Sequence, residues 1–211
     1  MTYKQAAFAA AAESIIHNLK KRGMEGHFYE DSASCTDAIL AMIPEKSIIS
    51  WGGSETIKET GLMDGIHEKN YVLIDRNDAS SPEEAREIYS RTVLSDYYLM
   101  STNAITLNGE LINIDGNGNR VACLIHGPSN VIVVAGMNKV VTDMQNGINR
   151  VRNFASPANA KRLERQTPCN LTGHCGDCLA SDCMCNQIVI TRHSGTQGRI
   201  QVFLIAEDLG Y

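Results

Sequence analysis

At 211 residues and 23.1 kDa the chain is long enough to bury one sizeable core and short for two, so a single domain over residues 1–211 with an appendage is expected. Its 43 % apolar content and mean hydropathy of −0.18 exclude a disordered chain, and with no apolar run near the roughly 18 residues of a spanning helix, membrane insertion is not expected. A formal net charge of −5 without a sustained basic stripe argues against nucleic acid or an anionic membrane surface as partner, and an Ala-rich start interrupted by Lys4 and Glu13 lacks a secretory layout, which makes the cytoplasm the default.

Tyr3 to Arg22 carries Phe8, Ala12, Ile15, Ile16 and Leu19 at helical spacing, cations in its last turn and a stop at Gly23, which predicts a helix. A short strand at His27–Tyr29 follows, then an N-cap at Ser32 or Ser34 and a helix through Ile39, Leu40 and Met42 that Pro44 ends. The β-rich run Ser47–Ser50 leads straight into Trp51-Gly52-Gly53-Ser54 and the helical stretch ETIKETGL, closed by Gly61. A strand, a glycine turn and a helix start leave free backbone N–H groups facing one spot, where a phosphate or carboxylate is the natural guest. Two glycines are fewer than dinucleotide or P-loop fingerprints require, and the same residues would equally serve a tight connection capped by Ser54.

Tyr71–Asp75 reads as the next buried strand, and Ser81-Pro82-Glu83-Glu84 as a capping box opening a helix with Ala85, Ile88 and Tyr89 on one face. This alternation predicts βαβ units and a mainly parallel sheet. From Tyr97 the pattern changes to consecutive strands: Tyr98–Met100, an alternation through Ile105, Leu107, Leu111, Ile112 and Ile114 with a turn at Asn108-Gly109, and a buried run at Val131–Val134. Between them Asp115-Gly116-Asn117-Gly118-Asn119-Arg120 packs more turn formers ahead of a lone cation than a two-residue hairpin needs, although a polar hairpin loop would look similar. A last long helix is expected over Asn138–Phe154, a short one at Pro157–Leu163, and two strands at Gln187–Thr191 and Arg199–Ile205. The fold expected from these elements is a three-layer α/β domain in which Ser47–Ser50, Tyr71–Asp75, Tyr98–Met100 and Val131–Val134 share one mainly parallel sheet.

The expected anion site joins Gly52, Gly53, Ser54 and Thr56 to Thr102, Asn103, Asn117, Gly118, Asn119 and Arg120, with Arg120 as the formal charge able to make a bidentate contact. Glu110, Asp115, His126 and Lys139 fall in loops where a proton acceptor could sit, but each is the kind of residue more often simply solvated. The catalytic residue, and whether the chain is an enzyme at all, therefore stay open.

Five of the seven cysteines lie between Cys169 and Cys185, with a C-x2-C step at Cys175 and Cys178 and glycines at Gly173 and Gly176. Such spacing suits thiolates on one ion, with reduced thiols or a redox disulfide as alternatives; His174 is a further candidate ligand. Cys35 and Cys123 sit among apolar neighbours and read as core residues. The segment 167–186 has few large apolar residues beyond Leu171, Leu179 and Met184, so burial at about 25 cal/mol per Å² cannot order it alone. Four thiolates around an ion could contribute on the order of 10 kcal/mol.

Taken together, Ser50-Trp51-Gly52-Gly53-Ser54, Ser101-Thr102-Asn103-Ala104-Ile105-Thr106, Asn113 through Ala122, His126-Gly127-Pro128, the cysteine tail and the ending Glu207-Asp208-Leu209-Gly210-Tyr211 resemble the LUD (lactate-utilisation) domain family over nearly the whole chain. The resemblance implies an α/β fold similar to the ribose-phosphate isomerase, glucosamine-phosphate deaminase and CoA-transferase group, with a hairpin-rich part and a ligand pocket at strand ends. It also implies a link to oxidation of lactate to pyruvate by a multi-subunit iron-sulfur system, hence partner subunits, with homo-oligomers left open. In that branch of the family the cysteine set is similar to Cys169, Cys175, Cys178 and Cys185, leaving Cys183 extra, and the expected cofactor is zinc or an iron-sulfur cluster. Two function classes follow: a small enzyme or enzyme subunit binding a compact anion such as a hydroxy acid, sugar phosphate or CoA ester, and an electron-transfer or assembly subunit built around the cysteines.

Overall fold

The four apolar runs do lie side by side. In the computed structural model, which describes residues 2–211, the chain passes through α1 (Tyr3–Lys21), β1 (Glu25–Tyr29), α2 (Ser32–Met42), β2 (Ile48–Trp51), α3 (Glu55–Glu59), α4 (Leu62–His67), β3 (Val72–Ile74), α5 (Pro82–Val93) and β4 (Tyr97–Met100). It continues through β5 (Ala104–Thr106), β6 (Leu111–Asp115), α6 (Asn119–Ile125), β7 (Asn130–Gly136), β8 (Val140–Val141), α7 (Met144–Arg150), α8 (Ser156–Arg162), α9 (Pro168–Thr172), β9 (Gln187–Thr191) and β10 (Ile200–Ile205).

Six strands form one sheet in the order β1-β10-β7-β4-β2-β3, every neighbouring pair parallel. Both of its faces are covered, because the central strands are apolar at every position rather than at alternate ones. Tyr98, Met100, Val131 and Val133 pack with Ala12, Ile15 and Leu19 of α1 and with Cys123 and Leu124 of α6. Leu99, Ile132 and Val134 point the other way, against Ile39 of α2, Ile57 of α3 and Leu62 and Ile66 of α4. Burying each such aliphatic side chain contributes about 1.5–3 kcal/mol, which is what holds three layers together. Cys35 and Cys123 are both buried, as expected of core thiols.

A second sheet, ordered β8-β5-β6-β9, contains the hairpin part: β5 and β6 are antiparallel across Asn108-Gly109, where Gly109 has φ +85°. Its apolar face, Ala104, Ile112 and Ile114, packs on Val151 and Ala155.

Three local expectations are corrected. The cap of α2 is Asp31, whose Oδ1 accepts from the Ser34 N–H at 2.8 Å, because Ser32 spends its hydroxyl on Glu207 Oε2 at 2.6 Å. Gly61, at φ +75°, closes α3 as expected, its N–H donating to Lys58 O at 3.0 Å, and it also opens α4. The Asp115–Asn119 turn is no hairpin: Gly118, at φ +82°, feeds α6. Finally, the helix expected from Asn138 starts at Met144 behind an Asp143 cap, since β-branched Val140 and Val141 pair with Ile105 and Thr106 instead. Past α7 the helix widens into a π turn at Val151–Ala155 just before Pro157, which has no N–H to give to the preceding turn.

Candidate functional site

The connections that leave the carboxyl ends of β2, β4 and β7 converge on a cleft of about 1000 Å³. After Trp51 comes the glycine turn, after Met100 come Ser101, Thr102 and Asn103, and after Gly136 comes Lys139. Chain order reverses beside β2, whose neighbours are β3 on one side and β4 on the other, and such crevices are where open α/β sheets take ligands.

The glycine turn lets neighbouring side chains approach the backbone closely. A Cβ on Gly52 would lie 3.1 Å from the Tyr98 hydroxyl and 3.2 Å from Arg120 Cδ, and one on Gly53 would lie 2.5 Å from Arg76 Nη2. Ser54 Oγ accepts from the Ile57 N–H at 3.3 Å and caps α3. That helix has only five residues, so its dipole is small and side-chain cations must supply most of the field. Of the ten residues expected at the site, Gly53, Ser54, Thr56, Thr102, Asn103, Asn117, Asn119 and Arg120 line the cleft, while Gly52 and Gly118 shape the turns behind it.

Arg120 is committed to the protein. Nη1 donates to Ser101 O and Asn113 Oδ1, Nη2 donates to Asn103 Oδ1 at 3.2 Å and Ile114 O at 2.9 Å, and Nε faces Asp115 Oδ2 at 3.3 Å. Its guanidinium therefore ties the β4 exit to β6 and has little left for an incoming anion. The Nε contact is an ion pair by distance only, so Asp115 Oδ2 keeps no hydrogen-bond partner while its side chain is nearly buried in the cleft wall. Asp115 Oδ1 accepts from the Gly118 N–H at 3.0 Å. Thr102 Oγ1 donates to Ala104 O at 2.9 Å and fixes the start of β5.

Lys139, read from sequence as one of four loop residues, is the most unusual group here. It is 3 % exposed, and its Nζ donates to Thr56 Oγ1 at 2.7 Å and Ser101 Oγ at 3.0 Å. Burial, with Arg150 and to a lesser degree Arg120 adding to it, lowers its pKa to about 7 against the pull of Glu59. Of the other three, Asp115 shares the cleft, Glu110 is held by Arg22 and Thr106 elsewhere, and His126 is exposed. The sequence did carry a signal for Lys139, since it follows the buried run of β7 by three residues, but the periodicity of Val140, Val141 and Met144 drew it into a helix.

Six basic side chains line the cleft: Arg76, Arg86, Arg120, Lys139, Arg162 and Arg165. Only three carboxylates, Glu55, Asp115 and Asp182, oppose them, so the cleft is cationic in a chain of net charge −5. Arg76 forms no ion pair among the described residues. Gly210 and Tyr211 close one side, with the Thr56 hydroxyl 3.4 Å from Leu209 O and Tyr211 Oη 2.6 Å from Arg162 Nε. A smaller surface hollow of about 270 Å³ beside α1 includes Arg22, whose donors are spent on Asn108 O, Arg192 O and Glu110.

The cysteine segment forms the outer wall through Ser181 to Met184. Backbone N–H groups reach sulfur twice, Asp177 onto Cys175 and Cys185 onto Cys183, each at 3.4 Å, and Arg152 Nε reaches Cys175 Sγ at 3.3 Å. Burial raises the Cys185 pKa against its hydrogen bond to Ser156 Oγ, and the neighbouring Cys183, Cys175 and Cys169 thiols add to the rise. Among the described residues no three His, Cys, Asp or Glu side chains are placed to hold a metal ion together, so Cys169, Cys175, Cys178 and Cys185 do not form a closed ligand set in this arrangement. His174 turns its Nδ1 to Thr172 O at 3.2 Å. No helix among the described residues is long and apolar enough to cross a membrane.

The LUD domain family model matches residues 12–205. A crystal structure of a DUF162 family protein from Deinococcus radiodurans is similar with a TM-score of 0.52 at 16 % identity, over 95 % of this chain and 98 % of that one. Partial likenesses are eIF2B delta from Chaetomium thermophilum (TM-score 0.35, 15 % identity, 54 % of this chain and 49 % of that chain) and ribose 5-phosphate isomerase from Plasmodium falciparum (0.34, 20 %, 52 % and 51 %). No curated protein matches the sequence. With a match running from α1 to the end of β10, the chain belongs to the LUD domain family.

Proposed function

We propose that the cleft binds a small anionic metabolite, a hydroxy acid such as lactate or a phosphorylated sugar, and that the chain serves lactate utilisation as a substrate-binding component. The observation that carries this reading is the cationic cleft at the strand ends, where Arg76 lies beside a glycine turn with no ion pair among the described residues and Lys139 lines the same cleft. Arg76, beside Gly53, would take the carboxylate or phosphate, while Arg162 is held by Asn159, Tyr211 and Glu55. Arg120 would hold the walls, and Asp115 Oδ2 would accept from a ligand hydroxyl. Calorimetric titration with lactate, pyruvate, phosphate and ribose 5-phosphate tests it. At least one should bind, and Arg76→Ala should weaken that binding by about tenfold, the worth of one charge-assisted contact. Absence of binding by every compound would refute the reading.

A second reading, an electron-transfer or assembly subunit carrying zinc or an iron-sulfur cluster, is favoured by the two backbone N–H groups aimed at sulfur, since such bonds stabilise thiolates. Closing a four-thiolate site would require the segment to rearrange from the positions described. Metal analysis and absorption spectra of anaerobically purified protein separate the readings: bound zinc or iron supports this one, and metal-free protein with five free thiols in the segment removes it.

A further inference from the structure

We propose that Lys139 is a nucleophilic amine that condenses with the carbonyl carbon of a small anionic aldehyde or ketone, a 2-oxo acid or an open-chain sugar phosphate, and holds it as an imine. The inference rests on the anionic-metabolite reading of the cleft and narrows it to carbonyl compounds.

Three features of the geometry carry it. First, Lys139 is 3 % exposed yet belongs to no ion pair among the described residues. A buried ammonium without a carboxylate partner is costly, so the neutral amine is favoured. The charged groups that act on it agree in sum: Arg150 and Arg120 oppose its charge, and Glu59, which favours it, has Oε2 engaged by the Gly210 N–H at 2.5 Å. Second, both partners of Nζ are hydroxyls, Thr56 Oγ1 and Ser101 Oγ. A hydroxyl accepts from a neutral amine and can turn to donate, so the pair can pass protons as well as hold the nitrogen. Third, the amine is held in place. A Cβ built on Gly210 would lie 2.5 Å from Thr56 Oγ1 and 3.4 Å from Lys139 Nζ, so the chain closes over one side of the amine while Lys139 still lines the cleft on the other. A desolvated lysine in a fixed position is how enzymes prepare an amine to attack carbonyls.

The chemistry balances without a cofactor. The Nζ lone pair attacks the carbonyl carbon, the π electrons move to oxygen, and a proton passes from nitrogen to that oxygen to give a carbinolamine. The hydroxyl then leaves as water with a second proton from nitrogen, and C=N forms; nothing is oxidised or reduced. Arg76 would anchor the anionic end while the reacting carbon meets Nζ.

The test traps the imine. Full-length protein is incubated near neutral pH with pyruvate, and separately with ribose 5-phosphate, in the presence of sodium cyanoborohydride, then digested and mapped by mass spectrometry, while binding of the same compounds is measured by calorimetry. The expected result is a stable adduct on the peptide carrying Lys139, far above any on exposed Lys4 or Lys20, and its loss in Lys139→Arg. Binding without an adduct at Lys139, or labelling spread equally over surface lysines, overturns the inference and leaves the binding reading standing. Absence of binding removes both. Because the trap is read on the unsubstituted protein, a variant that fails to fold does not blunt it.

Discussion

The parallel-sheet end of the molecule and the cysteine segment wall the same cleft but are held by opposite means. Around Lys139 the order comes from burial: Leu99, Ile132 and Val134 are fully buried, and the polar groups above them are fixed by a dense set of short bonds. From 167 to 186 only Thr167 is buried, and Leu171 and Leu179 are 85 % and 100 % exposed. That segment is fastened at points instead. Asp182 takes Arg165 Nη1 and the Gln166 N–H, both at 2.7 Å, Asn186 donates to Asp115 O and Gly116 O, both at 3.1 Å, and Arg152 pairs with Asp177. One wall is thus rigid by packing and the other by a few polar latches, which suits a fixed chemical centre facing a movable cover.

The largest test of this contrast is a pair of leucine truncations. Leu99→Ala should lower unfolding free energy by about 2–5 kcal/mol through transfer and cavity terms, whereas Leu179→Ala should stay within about 0.5 kcal/mol, both read from denaturant midpoints. Equal losses would mean that the segment is packed in solution after all.

The same contrast explains what the sequence disclosed. The sheet was legible because the runs at Ile48–Trp51, Val72–Ile74, Tyr97–Met100 and Asn130–Gly136 are short, apolar and punctuated by caps, and burial decides such elements. The glycine turn and the Asn117–Arg120 stretch were legible as turn chemistry. What stayed hidden was direction: Gly118 could have turned a hairpin or started α6, and only the pairing of β6 with β9 rather than with a strand after Asn119 decides. Lys139 could be named only as one of four loop candidates, because burial of a lysine is a tertiary fact, set by Thr56, Ser101 and Gly210, which are distant in sequence. Arg76 was hidden because it follows a strand without any motif.

Next in size is the titration of Lys139 itself. Its folded pKa of about 7 lies below the ordinary value of 10.5, so between those values the unfolded chain holds one more proton than the folded one. Stability should therefore rise with pH across that window, by about 1.4 kcal/mol per pH unit, and level off below pH ~7 where both states are charged. Lys139→Met should flatten the profile and be the more stable form near neutrality. A parallel slope in the variant would show that the amine is charged and solvated in the folded state.

Gly210→Ala probes the join between the two walls on the rigid side. Its φ of +58° disfavours any side chain, and the added methyl would meet Thr56 Oγ1. We expect a loss of about 1–2 kcal/mol, the strain of a left-handed residue, together with weaker ligand binding as Thr56 shifts off Lys139. Unchanged affinity with lowered stability would limit Gly210 to a structural role.

The smallest expected effect is on the movable side, at the Asp182 latch. The Gln166 N–H, and after it Arg165, hold the Asp182 carboxyl below its ordinary range. Its contribution is therefore fully present above the unfolded pKa near 4 and is lost as pH falls through the lower folded value. Because the latch fastens only a segment, its loss should not move the global transition. Asp182→Asn keeps the shape but removes the charge and one acceptor oxygen, so limited proteolysis should cut between Thr167 and Asn186 several-fold faster in the variant at neutral pH, with an unchanged denaturant midpoint. The wild-type chain should show the same local opening only in acid. If the variant instead unfolds earlier as a whole, the cysteine wall is integral to the core, and the division between a packed site and a latched cover is wrong.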